Sequence, residues 1–159
     1  MANYLPKSPT LKSYLFHLMA LLFILLTGFE IPSQKSDKAT LILEITDIRS
    51  NMGKILLSVF NTPDGFPAQA EKAHRTLQYK VTGNTAIITI PDLPMGEYAI
   101  AILHDEDNNG KMNRNFLGVP KEGYGASNDA RNMFSPPDYE KAKFLLNTPQ
   151  KKMKIKMMY

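Results

Sequence analysis

Asp92-Leu93-Pro94-Met95-Gly96-Glu97-Tyr98, running on into Ala99-Ile100-Ala101-Ile102-Leu103, is the stretch on which the fold turns. A leucine and a glycine shortly before a strand-opening tyrosine match the spacing of a tyrosine corner. In that motif the phenol bonds back to the backbone a few residues upstream and pins a crossover between two sheets. Tyr98 is therefore expected to be structural rather than catalytic. Behind it, Tyr98, Ile100 and Ile102 alternate with Ala99, Ala101 and Leu103, the period of two that marks a strand.

The same period extends in both directions. Leu41, Leu43 and Ile45 alternate with Ile42, Glu44 and Thr46, and Arg49-Ser50-Asn51-Met52-Gly53 reads as a turn. Ile55, Leu57 and Val59 alternate with Leu56, Ser58 and Phe60; both faces are apolar, which predicts a central strand. Leu77, Tyr79 and Val81 alternate with Gln78, Lys80 and Thr82, and Gly83-Asn84 reads as a tight hairpin into residues 86–90. Two further runs cover residues 143–146 and 152–158. In the last, Met153, Ile155 and Met157 face one way and Lys152, Lys154 and Lys156 the other, as expected for a solvated face or a protected edge. Seven short strands separated by turn signals predict an all-β, antiparallel two-sheet sandwich. The segment TPDGFPAQAEKAHR opens on a Pro-Asp-Gly turn, and residues 68–75 could supply a short helix.

With 159 residues, 43% hydrophobic and 21% charged, the chain suits one globular domain. Lys7 and Lys12 precede an apolar run at residues 14–26 that His17 alone interrupts. Thirteen residues fall short of the roughly 20 that a membrane span needs. A basic start, a short apolar stretch and then polar residues predict a signal peptide over residues 1–29, a linker over 30–39 and the sandwich over 40–159. Export to the periplasm or the extracellular space follows, with the leader as the one membrane-directed segment. After the leader, 17 basic and 15 acidic residues leave +2, too little for a nucleic-acid partner. The absence of cysteine excludes disulfides, thiol catalysis, cysteine-bound zinc and a lipid-modified cysteine.

Chemistry concentrates in His104-Asp105-Glu106-Asp107-Asn108-Asn109-Gly110. Asp105, Asp107 and Asn109 stand two apart with a glycine after them, the first half of a calcium-loop pattern. Oxygen side chains at alternate positions can converge on one hard cation, and glycine permits the turn that closes the loop. Lys111 would add a backbone carbonyl and Asn113 would act through water. The twelfth position, where a bidentate glutamate belongs, is Phe116, so this is half a motif. Glu122 or Asp129 could replace that glutamate, and spacing does not choose between them. The competing reading is an Asx-rich turn whose side chains cap their own backbone. If calcium is the cofactor, two assured carboxylates imply a Kd of about 10⁻⁴ to 10⁻³ M.

From Asp105 onward, 36 residues lack strand periodicity, a length that signals either function or disorder. Phe116, Leu117, Tyr124, Phe134 and Tyr139 argue for order, since disordered segments are poor in aromatics. Two readings of these rings stand side by side. They pack the long loop onto the sheet, or Phe116, Tyr124, Phe134 and Tyr139, with His104, form a platform for an envelope glycan, peptide, protein or lipid headgroup. A hydrolase would need His104 with a nearby acid and a nucleophile such as Ser127 or Ser135; no Gly-x-Ser-x-Gly elbow, His-Glu-x-x-His or phosphate loop accompanies them.

Four segments, taken in order, carry a resemblance. They are Val59-Phe60-Asn61 with Asp64-Gly65-Phe66-Pro67; Leu93-Pro94-Met95-Gly96-Glu97-Tyr98-Ala99; residues 104–111; and Asn115-Phe116-Leu117-Gly118-Val119-Pro120-Lys121-Glu122-Gly123-Tyr124-Gly125-Ala126-Ser127-Asn128. Together they resemble domain-of-unknown-function family 2141 of exported bacterial proteins, over about residues 40–159. The resemblance implies a secreted or periplasmic β-sandwich and supplies no activity. The Leu-Pro-x-Gly-x-Tyr element is also similar to Ig-like and transthyretin-like sandwich domains. The expectation is therefore an exported binding or envelope-associated scaffolding module, with a candidate calcium loop at 105–113.

Overall fold

A computed structural model describes residues 37–133 and 135–159. The expected leader and most of the expected linker lie outside the described residues, as does Phe134. The linker ends earlier than the sequence suggested. Strand β1 runs Lys38–Thr46, and Ala39, assigned to the linker, is buried and paired with Leu93.

Among the described residues eight strands form two sheets: β1, β2 (Lys54–Phe60), β3 (Arg75–Lys80), β4 (Ala86–Pro94), β5 (Gly96–Asp105), β6 (Gly123–Ala126), β7 (Phe144–Leu146) and β8 (Gln150–Lys156). One sheet has the order β4-β1-β8 and the other β3-β2-β5-β6, with β7 pairing the first residues of β5. All pairs are antiparallel except β1 with β8, which run parallel from Thr40↔Gln150 to Thr46↔Lys156. The inward residues of both sheets make the core: Leu41, Leu43 and Ile45 from β1, Ile55, Leu57 and Val59 from β2, Ile88 and Ile90 from β4, Ile100 and Ile102 from β5, and Ile155 from β8. This is the all-β sandwich that the alternating runs predict.

Two strands are apolar on both faces for a reason visible in the packing. Phe60, Ala99 and Ala101 point away from the main core and build a second, smaller one with Ala126, Ala130, Tyr139 and Ala142. Alternation puts large Ile100 and Ile102 on one face of β5 and small alanines on the other. The alanines let the segment with the one-turn helix Tyr139–Ala142 close over the sheet. Ser127 fixes that closure: its hydroxyl donates to the Ala142 carbonyl at 2.6 Å and accepts from the Ile100 amide at 2.9 Å.

The tyrosine corner forms as read. Tyr98 is buried and its hydroxyl donates to the Pro94 carbonyl at 2.9 Å, where the chain crosses from β4 to β5. Burial pushes its phenol pKa up. Lys152, Lys154 and Lys156 of β8 stand exposed at a sheet edge, with Lys154 and Lys156 facing Glu44 and Asp47. Three other expectations change. Gly83-Asn84 does not close a hairpin: β3 and β4 lie in different sheets, and Gly83 lacks the positive φ that a two-residue turn needs. Residues 68–75 hold a single 3-10 turn, Ala70–Lys72. The 36-residue connection contains β6, whose Gly-Tyr-Gly-Ala sequence carries no apolar alternation.

Candidate metal centre

Strand β5 delivers the site. His104 and Asp105 are its last two residues, opposite Ile55 and Lys54 of β2, and both are fully buried. Gly53 sits so close that a Cβ there would overlap the Asp105 carbonyl, and its φ is +64°. Alternation turns His104 towards the inner face and Asp105 towards the outer one.

Asp105 closes the following loop with both carboxylate oxygens. Oδ1 accepts from the Asn109 amide and Oδ2 from the Gly110 amide, each at 3.0 Å. Asn108 and Gly110 have positive φ, the bends that aim these amides inward. Lys54 Nζ stands 3.7 Å from Oδ2. Asp107 accepts from the Asn113 side chain at 2.7 Å and from the Asn109 side chain at 2.9 Å. The Asn113 bond, above all, holds the Asp107 carboxyl below its ordinary range. Asn109 Oδ1 accepts from the Lys111 amide at 2.7 Å.

Space settles what spacing left open. Glu122, just before β6, is buried and turned into the loop, where its oxygens accept from the Glu106 and Asn113 amides, both at 2.9 Å. Asp129 is elsewhere, accepting from the Lys156 amide. Ligand oxygens of Asp105, Asp107 and Glu122 all lie within 4.8 Å of one another. Oxygen donors so grouped suit a hard cation such as calcium, and zinc or copper poorly. A cleft of about 380 Å³ opens beside them, lined by Met52, Glu106, Asp107, Asn113, Arg114, Lys121 and Glu122.

His104 is fixed on both sides. Nε2 donates to the Met52 carbonyl at 2.9 Å, which leaves Nδ1 to accept from the Tyr159 hydroxyl at 2.8 Å. Tyr159 in turn accepts from the Arg49 amide at 3.0 Å. The Arg49 guanidinium lies 4.3 Å from the Tyr159 ring centroid, pairs with Glu106 and donates to the Lys121 carbonyl at 2.9 Å. That pairing, chiefly, lowers the Glu106 pKa and raises that of Arg49.

The structure does not join His104 to either serine. Ser127 bonds the Ile100 amide, four residues back along β5 or roughly 13 Å at strand rise, and Ser135 lies in a turn held by Asn132. Among the described residues, which exclude Phe134, the other expected rings do not gather into one platform. Tyr139 is buried edge-on against Phe66, Tyr124 is half-buried in β6, and Phe116 and Leu117 are 94% and 72% exposed. Phe116 and Leu117 therefore do not anchor the long loop. The sequence reading missed Lys54, Arg49 and Tyr159. The β2–β5 register could have revealed Lys54, whereas no local pattern marks Tyr159.

No curated protein and no solved structure matches the chain. The model of the family described as "Uncharacterized protein conserved in bacteria (DUF2141)" matches residues 43–154, well over half the chain, and the protein belongs to that family.

Proposed function

We propose that the protein is an exported binding module whose loop end is organised by calcium, held by Asp105, Asp107 and Glu122. Asn109 and Asn113 would supply further oxygens by turning their amides, and Lys111 its carbonyl. The observation that carries this reading is the convergence of three carboxylates, two of them buried, within 4.8 Å in a sequence of calcium-loop pattern. A cation would offset the mutual repulsion of these groups. Full engagement of both His104 ring nitrogens supports a binder over a hydrolase. Export is supported by the basic and apolar order of the first 26 residues.

Thermal unfolding of the full chain in chelator, in calcium and in magnesium tests the reading. At a tenfold excess over Kd, binding to the folded state adds about 1.4 kcal/mol, or roughly 5 °C in Tm. Calcium is expected to give that rise and magnesium a smaller one. Equal Tm in chelator and calcium overturns the metal site and leaves the loop as a polar turn.

A further inference from the structure

The calcium-loop pattern ends on an element that the metal reading does not use. Residues 113–121 form a small projecting hairpin whose root is tied to the acidic cluster: the Lys121 amide donates to the Asn113 carbonyl at 2.8 Å, and the Asn113 amide donates to Glu122. Arg114 and Pro120 pair across it. At the tip stand Phe116, 94% exposed, Leu117, 72%, and Val119, 52%. Isolated exposed apolar residues are ordinary, but three within four positions on one bonded turn are a patch.

Four amides of the tip, those of Asn115, Leu117, Gly118 and Val119, are bonded within it. Asn115 Oδ1 accepts from the Leu117 amide at 2.9 Å and the Val119 amide at 3.0 Å, its carbonyl accepts from Gly118 at 2.9 Å, and its amide donates to Val119 at 2.9 Å. Arg114 donates to the Gly118 carbonyl at 2.9 Å. A turn so closed can leave water at less cost than an open loop, because unpartnered amides are what apolar surroundings penalise. The hairpin's basic collar is Lys111, Arg114 and Lys121, all exposed, with no acidic residue between 112 and 121; Glu106, Asp107 and Glu122 line the cleft that Arg114 and Lys121 share. Three side chains are too few to build the roughly 800 Å² per partner of a stable protein interface.

We infer that this hairpin docks the protein on an anionic lipid surface, with Phe116, Leu117 and Val119 entering the acyl boundary and the collar meeting the headgroups. Apolar side chains seated a few ångströms into the boundary, with flanking cations drawn to acidic lipid, are the physical form of peripheral attachment. The inference stands without the calcium reading. A cation at the hairpin's root would remove negative charge from the same end and strengthen docking.

The chain has no tryptophan, so Phe116→Trp puts a single reporting indole at the tip. Leu145→Trp, on β7 at the opposite end of β5, is the control. It also separates tip insertion from tethering by the N-terminal apolar run, which both variants keep. Full-length protein is titrated with phosphatidylcholine vesicles and with vesicles of phosphatidylcholine and phosphatidylglycerol in equal parts, each in chelator and in calcium. The expected result is a blue shift of the Phe116→Trp emission on the anionic vesicles and none for Leu145→Trp. Adding Lys111→Gln and Lys121→Gln should weaken the vesicle affinity read from that shift by about thirtyfold, given about a kcal/mol per basic residue. A shift in chelator supports docking by the hairpin alone, and one that needs calcium supports docking together with the metal reading. Absence of a shift in both conditions overturns the inference, as does an equal shift in the two variants. A shift that grows with protein concentration in vesicle-free solution also overturns it and assigns the tip to a second copy of the chain.

Discussion

Asp105 shows why the turn reading and the metal reading of its loop are not exclusive. Its two oxygens already accept the Asn109 and Gly110 amides, so the carboxylate is a backbone cap whether or not an ion is bound. Asp105→Ala removes that cap from a fully buried position and leaves both donors and Lys54 without their partner. It should cost about 3 kcal/mol in chelator by urea denaturation, and more in calcium, where the ion's contribution is lost as well. Asp107 differs because it is exposed and accepts mostly from side chains. Asp107→Asn keeps the shape but gives up the charge its donors favour, so Tm in chelator should fall slightly while the calcium-dependent rise disappears. A loss of stability that is the same with and without calcium would make Asp107 a turn residue only. Tyr139 illustrates the opposite case: its ring fills the second core but its hydroxyl is buried with no partner among the described residues. Tyr139→Phe should therefore hold or raise stability, by up to about 1 kcal/mol, in the same assay.

Among the strands, legibility followed the side chains. β1, β2, β4, β5 and β8 bury long aliphatic residues at every second position, and their period of two is plain in the sequence. β6 was invisible because Gly123 and Gly125 carry no side chain to alternate; its strand character comes from backbone pairing with Leu103 and His104. The glycines have a packing cause. A Cβ at Gly123 would fall inside the Tyr159 ring, and one at Gly125 would crowd Ile155 and the Lys156 carbonyl. Both contacts join β6 to the end of the chain, 30 or more residues away, which no local window can read. The choice of Glu122 over Asp129 was closed to the sequence for the same reason, since it depends on where β6 runs. A double-mutant cycle tests the Gly123 contact. Gly123→Ala should destabilise by about 1–3 kcal/mol through overpacking, and Tyr159→Ala, which clears the space, should remove most of that penalty in the double variant. Additive losses would show that Gly123 answers to something other than Tyr159.

Across the whole molecule, the same end gathers opposing electrostatic effects, and their balance is measurable. Asp105, Asp107 and Glu122 are three like charges with ligand oxygens within 4.8 Å of one another, and they repel. Against this stand the donors that prefer the charged forms: Asn113 and Asn109 at Asp107, and Arg49 and Ser50 at Glu106. For Glu106 and Asp107 the donors win, since both folded-state pKa values lie below the ordinary carboxylate values. A carboxylate with a depressed folded-state pKa contributes stability that is complete above its unfolded value, about 4 for these side chains, and is lost as pH falls through the folded value. Stability by urea denaturation, measured in chelator, should therefore be level from neutrality down to about pH 5 and decline below it. Glu106→Gln should be less stable near neutrality and show a shallower acid decline, because the group that loses its charge is gone. The strength of this term follows from its anchorage: Arg49 also donates to the Lys121 carbonyl and stacks on Tyr159, so breaking its pair with Glu106 loosens the hairpin root and the C-terminal contact together. Stability that rises on acidification would mean that the donors at Glu106 and Asp107 do not favour the charged forms.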